Sequence, residues 1–282
     1  MTNVLDEPWV AEAVRRFQSD YASVIANRRV DIVGKKKALL KFGRNVNMAS
    51  GVLSTIWDTG VANETYVASN LIDSISSSSA SDTTTIRVEG HYYGSDGGLH
   101  FVILNATLSG RTPVGDGTLV ADLYGEYAGA LARVTRMANL SAVPLVGDVY
   151  IYQSGQTVTA GVPQDLTKVH GKIRGTAGLQ QSNKCATTVS NEDFYIITSV
   201  RTGVARSQAA FVDFGLEIRE PGGVFRERLI GNGSRDSGFG QIFDNAPHII
   251  APPNSDVRVR GTSSAASTTG IASFNGILGA LI

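Results

Sequence analysis

The sequence predicts an all-β protein made of two β-sandwich, jelly-roll-like units behind an N-terminal amphipathic helix and a basic arm. Two observations carry this prediction. From residue 46 onward, short runs rich in β-branched and aromatic residues alternate with turn residues at roughly ten-residue spacing. The chain has 282 residues, 42% hydrophobic and 18% charged, which is enough apolar surface for two moderate cores. We therefore predict an arm over 1–45, one sandwich over 46–160 and a second over 161–282, with one larger fused sandwich as the alternative.

Residues 6–27 have the pattern of an amphipathic helix. Asp6 suits the N-cap and Pro8 the first turn, where proline is tolerated. Apolar residues repeat at helical spacing along one face, at Val10, Val14, Phe17, Tyr21 and Ile25. This stripe requires a partner surface.

The segment 28–45 is strongly basic and contains a single acidic residue, Asp31. Its seven cations are Arg28, Arg29, Lys35, Lys36, Lys37, Lys41 and Arg44. Such a run can contact phosphates, but aromatic residues for base stacking are sparse, so nucleic acid is the less favoured partner. We interpret the run as an arm or linker that is either solvated or docked on an acidic neighbouring subunit.

Strand patterns fill the rest of the chain and are separated by turn signals. In the first half they cover 83–93, 98–110, 130–137 and 147–153. In the second half they cover 167–175, 193–203, 211–230, 255–263 and 270–282.

The segment 211–230 predicts a β-hairpin with its turn at Pro221-Gly222-Gly223. Its first strand alternates apolar residues, Val212 to Ile218, with polar ones such as Asp213 and Glu217. We expect the apolar face to be buried and the polar face to meet solvent.

Composition excludes several classes of function. Lys+Arg and Asp+Glu both number 25, so a role based on the electrostatics of the whole molecule is disfavoured, and neutrality mildly favours association. The single cysteine, Cys185, excludes an intrachain disulfide and is expected to be a small buried side chain. Neither a signal peptide nor a membrane span is recognisable, so we expect synthesis in the cytoplasm.

Two loops superficially resemble hydrolase motifs. Asp58 lies in an Asp-Thr-Gly triplet, but aspartic proteases need two carboxylates that share a proton, and this chain has one such triplet. A homodimer would supply the second, whereas an ordinary turn is the favoured interpretation. The segment 234–240 contains serines without nucleophile-elbow spacing and is interpreted as a hairpin loop.

No cofactor or metal is predicted. The four histidines are His91, His100, His170 and His248. Their spacing in the sequence is not that of metal ligands. A hairpin turning at 96–98 would bring His91 and His100 onto adjacent strands, where we interpret them as paired surface residues and not as a metal site. The segment 33–40 lacks the glycine spacing of a phosphate loop. We therefore assign no catalytic, cofactor-binding or metal residue and predict that the chain is not an enzyme.

Tyrosines leave a binding alternative open. Six of them are of the kind that line sugar grooves: Tyr92, Tyr93, Tyr124, Tyr127, Tyr150 and Tyr152. In β-proteins such rings more often lie half-buried at strand edges.

Four segments resemble a family of virion structural proteins of tailed bacteriophages from aquatic hosts. They are "LLKFGRN" (39–45), "VLSTIWDTG" (52–60), "EIREPGGVFRERLI" (217–230) and "IIAPPNSDVRVRGTSSAASTTGIASFNGILGAL" (249–281). The resemblance covers about three quarters of the chain from residue 39 onward and transfers no catalytic residue.

The resemblance implies a non-enzymatic virion protein, either a capsid-associated decoration (cement) or head–tail junction component, or a tail component. Its partners would be copies of itself, a trimer being one option, and another virion protein such as the major capsid or portal/tail protein. The alternative is a tail or receptor-binding module that recognises host surface glycan. In either case the location would be the virion, with no membrane partner and synthesis in the cytoplasm of a bacterial host.

Overall fold

The computed structural model describes residues 37–59, 62–115, 129–175, 178–205, 210–234, 239–242 and 249–280. These residues form β-strands and loops with one short 3-10 turn, Leu166–Lys168, and no α-helix. The all-β prediction is therefore confirmed. The predicted helix over 6–27 lies outside the described residues. Within the described ranges, no helix has the length and apolarity to cross a membrane.

The strands before residue 174 include nearly all of those predicted from the sequence, with small shifts at their ends. They are β1 (Lys37–Met48), β2 (Leu53–Thr55), β3 (Ile72–Ser77), β4 (Thr85–Tyr93), β5 (Leu99–Thr107), β6 (Arg133–Asn139), β7 (Val149–Gln153), β8 (Val158–Thr159), β9 (Val162–Pro163) and β10 (Val169–Ile173).

The strands of the second half likewise include at least one in every run predicted there, together with three short strands that were not predicted. They are β11 (Ala186–Thr188), β12 (Asp193–Ala205), β13 (Phe211–Arg219), β14 (Arg226–Ser234), β15 (Phe239–Ile242), β16 (Ile249–Ala251), β17 (Asp256–Ser263) and β18 (Thr268–Ala280).

The strands pair into four main antiparallel sheets and one small ribbon. Sheet I has the order β1-β18-β12-β15, with β16 also on β12, and sheet II has the order β11-β17-β13-β14, with β2 on β17. Sheet III has the order β5-β4-β6, sheet IV the order β10-β7-β3, and β8 pairs with β9.

Two apolar cores form between these sheets. The first core lies between sheets III and IV and includes Ile75, Val88, Leu104 and Ile151. The second lies between sheets I and II and includes Met48, Phe214, Val259 and Phe274. Alternating burial along the strands accounts for both, because successive side chains point to opposite faces.

Strand pairing does not follow the predicted divisions at residues 45 and 160. The basic segment from Lys37 onward is strand β1, which pairs with β18 at the opposite end of the chain, so this part of the predicted arm belongs to sheet I. Strand β2 pairs with β17 and β10 pairs with β7, so the first sandwich is inserted between two parts of the second. A division into separately folding domains stays a prediction.

The predicted hairpin forms, but one of its faces differs from the prediction. β13 pairs with β14, and Gly222 at the turn has a φ of 70°, which glycine adopts without strain. Val212 and Phe214 are buried as expected. Glu217, predicted to meet solvent, is 3% exposed and is paired with Arg258 and Arg260 of β17.

Candidate functional site

A buried layer of charged residues joins the two sandwiches. Asp256 on β17 accepts hydrogen bonds from Arg133 Nε at 2.9 Å, Arg219 Nε at 3.1 Å and Thr188 Oγ1 at 2.7 Å. Arg133 belongs to β6 of the first sandwich and also donates to the carbonyl of Val67 at 2.6 Å. The carboxylate is therefore a bridge between the two units.

A second carboxylate of the layer, Glu217, lies between two arginines of the neighbouring strand. Arg258 Nε donates to it at 2.8 Å and Arg260 is its other partner. The register explains this arrangement, since Glu217 is opposite Arg258 across the β13–β17 pair. Two opposite charges side by side can be buried together, whereas either alone could not.

Aromatic rings fill the space among these guanidinium groups. The Arg219 guanidinium lies 4.4 Å from the Tyr66 ring centroid, and that of Arg133 lies 5.1 Å from it. The Arg258 guanidinium lies 3.6 Å from the centroid of Phe225. These cation–π contacts stabilise charges that have lost their water.

The charge state of Asp256 is set by two opposing influences. Burial raises its pKa, but the neighbouring Arg133 and Arg219 outweigh this and hold the pKa below the ordinary 3.8. The carboxylate is thus ionised at neutral pH, and the layer consists of ion pairs.

Asp58, the candidate hydrolase residue, lines a cavity of about 320 Å³ together with Trp57, Asp148, Lys172 and Arg174. Burial raises the pKa of Asp58, and Arg174, whose Nε lies 3.6 Å away, partly offsets that effect. Asp148 pairs with Lys172 at 2.9 Å. Each carboxylate of the cavity therefore has its own cation, unlike the proton-sharing pair of an aspartic protease. Of the two serines in the 234–240 segment, Ser234 belongs to β14 and Ser237 lies outside the described residues.

His91 and His100 do form part of the predicted hairpin, but they do not meet. His91 is opposite Phe101 and His100 is opposite Tyr92, so the two imidazoles lie on opposite faces of the sheet. His91 is buried and lies 3.3 Å from Ser190 Oγ, whereas His100 bonds to Asp96 at 2.9 Å. The expectation of two surface histidines is therefore wrong for His91. Among the described residues, no group of three His, Cys, Asp or Glu side chains could hold a metal.

The described tyrosines do not line an open sugar-binding groove, which was the less favoured interpretation. Tyr92, Tyr150 and Tyr152 are buried, and Tyr152 bonds to Ser76 Oγ at 3.0 Å. Tyr124 and Tyr127 lie outside the described residues. The described rings thus serve packing and not an open surface.

The basic segment is also partly buried. Lys41 points inward, donates to the Thr135 carbonyl at 3.2 Å, and has its pKa lowered to about 8 by burial. Arg44 stays exposed, and residues 28–36 lie outside the described part of the chain. Cys185 is buried as predicted, and burial raises the pKa of its thiol.

The two edge strands of sheet III differ in how they are covered. The carbonyls of β6 accept hydrogen bonds from Lys41 and from Lys184, the latter at 2.6 Å to Val134. Lys184 is itself paired with Glu64. One edge of the sheet is thus closed by the second sandwich.

The other edge, β5, pairs only with β4 among the described strands. Its main chain is covered at Leu99, which is bonded to Asn191 and Asn254. From Phe101 to Thr107 burial alternates strictly, with Val102 and Leu104 in the core and Phe101 and Ile103 facing solvent. We call these two exposed residues the edge patch. A long exposed edge with apolar side chains is a template for pairing with another chain.

A loop between β6 and β7 carries a second exposed apolar cluster. Leu140, Val143 and Val146 are each more than half exposed, and we call them the loop patch. The loop backbone is fixed, since Asn139 Nδ2 donates to the Val143 carbonyl at 2.8 Å and the Asp82 carboxylate accepts from the N–H groups of Val146 and Gly147 at 2.9 Å. Apolar groups held rigidly in solvent are typical of interaction sites.

We expect Asp82→Ala to loosen this loop locally. The buried carboxylate also accepts a hydrogen bond from Ser77 Oγ, and hydrogen bonds to charged groups contribute about 1.5–3 kcal/mol. Amide hydrogen exchange of Val146 and Gly147 should accelerate, with a loss of about 1–3 kcal/mol in the free energy of unfolding. Unchanged exchange at both amides would show that Asp82 does not fix the loop.

Comparisons with known proteins identify no family for this chain. No protein-family model matches the sequence, and no curated protein matches it significantly. The resemblance to tailed-phage virion proteins therefore stays a prediction.

Solved structures of infectious bursal disease virus (IBDV) particles are distantly similar to this chain. A crystal structure of the T13 IBDV viral particle matches at 9% identity and a TM-score of 0.22, over 89% of this chain and 71% of that one. The Gx strain of the virus matches at 9% identity and a TM-score of 0.20, over 89% and 78%. A VP2 subviral particle matches at 10% identity and a TM-score of 0.18, over 89% and 73%. At these TM-scores the likeness supports no inference about this chain.

Proposed function

We propose that this chain is a non-enzymatic structural protein of a tailed-phage virion. In this role it is a capsid-associated decoration or head–tail junction protein that binds copies of itself and a neighbouring virion subunit, such as a major capsid or portal/tail protein. It would be made in the cytoplasm of the bacterial host and reside in the virion. The sequence resemblance supports the phage setting.

The open β5 edge is the observation that carries the proposal. Main-chain groups along this edge can pair with a strand of a neighbouring subunit, while Phe101 and Ile103 lose water on contact. The rigid loop patch offers a second contact surface on the same sandwich. Apolar burial of this kind drives permanent assembly, whereas an enzyme needs a cavity with poised reactive groups.

We expect Ile103→Lys to weaken self-association of the purified chain. A charge at the centre of an apolar interface costs at least about 1.4 kcal/mol, which is a tenfold weaker dissociation constant. Sedimentation velocity over a concentration series measures this shift.

Leu71→Lys is the matched control, because Leu71 and Ile103 are both 46% exposed but only Ile103 lies on the β5 edge. The control should sediment like the unaltered chain. Equal behaviour of the two variants would remove β5 as the interface.

No described feature favours the glycan-binding alternative. It rested on tyrosines, and Tyr92, Tyr150 and Tyr152 are buried among core residues. The cavity beside Asp58 has no exposed aromatic ring, since Trp57 is also buried.

A further inference from the structure

The outer face of sheet I carries a row of apolar side chains that crosses neighbouring strands. Ile277 of β18, Ile196 of β12 and Ile250 of β16 lie in one row across three strands, as the pairing shows. Neighbouring strands are about 4.8 Å apart, so these side chains are adjacent.

Strand β1 extends this surface along the edge of the sheet. Leu40 is opposite Asn275 and Phe42 is opposite Ser273, and both point away from the second core. Leu40 is 59% exposed and Ile277 and Ile250 are each about two-fifths exposed. We call Leu40, Phe42, Ile250 and Ile277 the outer surface. Ile196, which joins Ile277 to Ile250 in the row, is only 5% exposed.

The chain enters sheet I beside this surface. Lys37, the first residue of β1, pairs with Leu278, next to Ile277. Thirty-six residues precede this point, and residues 6–27 have the apolar stripe of an amphipathic helix. A helix of this length is marginal on its own, because most helical stability comes from packing of the apolar face.

We propose that residues 6–27 of this same chain form a helix that docks on the outer surface. The dimensions agree, since 22 helical residues span about 33 Å and the 12 residues of β1 span roughly 40 Å. The linker over 28–36 reaches up to about 30 Å, which suffices to turn the helix back onto the sheet. Its short length gives the segment a high effective concentration at its own sheet.

Charge complementarity gives the direction of the docked helix. A helix that turns back at its linker places Asp6 and Glu7 near the far end of β1. There Arg44 and Arg201 are exposed on the same face, one opposite Ile271 and the other opposite Ser273. Opposite charges at this end favour antiparallel packing of the helix on β1.

Amide hydrogen exchange of the full-length chain tests the proposal. We expect residues 6–27 to be protected at least about tenfold relative to an unstructured peptide, and to the same degree across a hundredfold dilution. Protection that falls on dilution would mean that a second copy supplies the helix, and an absence of protection would mean that nothing docks. Either result overturns the proposal.

Two matched leucine variants locate the docking site. Leu40→Asp should abolish the protection of residues 6–27, whereas Leu140→Asp, at a leucine that is 54% exposed on the loop patch, should leave it unchanged. Phe17→Asp should act like Leu40→Asp, and Ser19→Asp, on the side of the predicted helix opposite its apolar stripe, should not. Protection that survives both Leu40→Asp and Phe17→Asp would place the helix elsewhere and contradict the proposal.

Discussion

Replacing Asp256 by asparagine is expected to lower the free energy of unfolding by about 3–5 kcal/mol. The substitution keeps the shape but removes the negative charge that faces Arg133 and Arg219, and Arg133 is itself buried. An uncompensated buried cation is costly because it has neither water nor a counter-charge. Chemical denaturation followed by fluorescence measures the change.

Asp213→Asn is the control for this variant. Asp213 lies on β13 of the same sheet but is exposed, so its replacement should change stability by less than about 0.5 kcal/mol. Adding Arg133→Met to Asp256→Asn should recover part of the loss, since it removes one of the unpaired cations. A loss below about 1 kcal/mol for Asp256→Asn would show that the charge layer does not hold the sandwiches together.

Acidification from pH 7 to pH 5 is expected to destabilise the protein by about 2–4 kcal/mol. Burial lowers the pKa of both His91 and His170 from 6.5 to about 3. The unfolded chain therefore binds two protons below pH 6.5 that the folded chain does not, and stability falls as pH falls, by up to about 1.4 kcal/mol per pH unit for each histidine. Asp256 contributes a further loss of folding stability only below about pH 3.8, because its pKa in the folded chain is lower than in the unfolded chain.

Thermal unfolding across this pH range measures the effect. The double variant His91→Gln, His170→Gln should show a flatter dependence between pH 7 and pH 5, because glutamine does not titrate there. If the unaltered protein kept its full stability at pH 5, the two imidazoles would have to be protonated in the folded state, contrary to their burial.

The alternation of apolar residues predicted the hairpin and the core side of β13 correctly. The same rule failed for the polar side, because alternation tells which residues share a face and not what covers that face. Glu217 and Asp256 are buried since arginines of other strands neutralise them. A usable signal was present, because Glu217 on β13 is opposite Arg258 on β17, as expected for oppositely charged residues on paired strands.

Strand β1 was missed for a related reason. Its lysines and Arg44 suggested a solvated arm, but Lys41 is accommodated in the interior by the Thr135 carbonyl on β6. That partner is 94 residues away in sequence, so no local pattern could indicate it. The open edge at β5 likewise depends on which strands pair, which a single sequence does not encode in short motifs.

Electron cryomicroscopy of the purified phage particle tests the central claim most directly. The account predicts many symmetry-related copies of this chain on the particle, each with its β5 edge and the side chains of Phe101 and Ile103 buried against a neighbouring subunit. A particle that lacks the chain, or that carries it with the β5 edge facing solvent in every copy, would contradict the account.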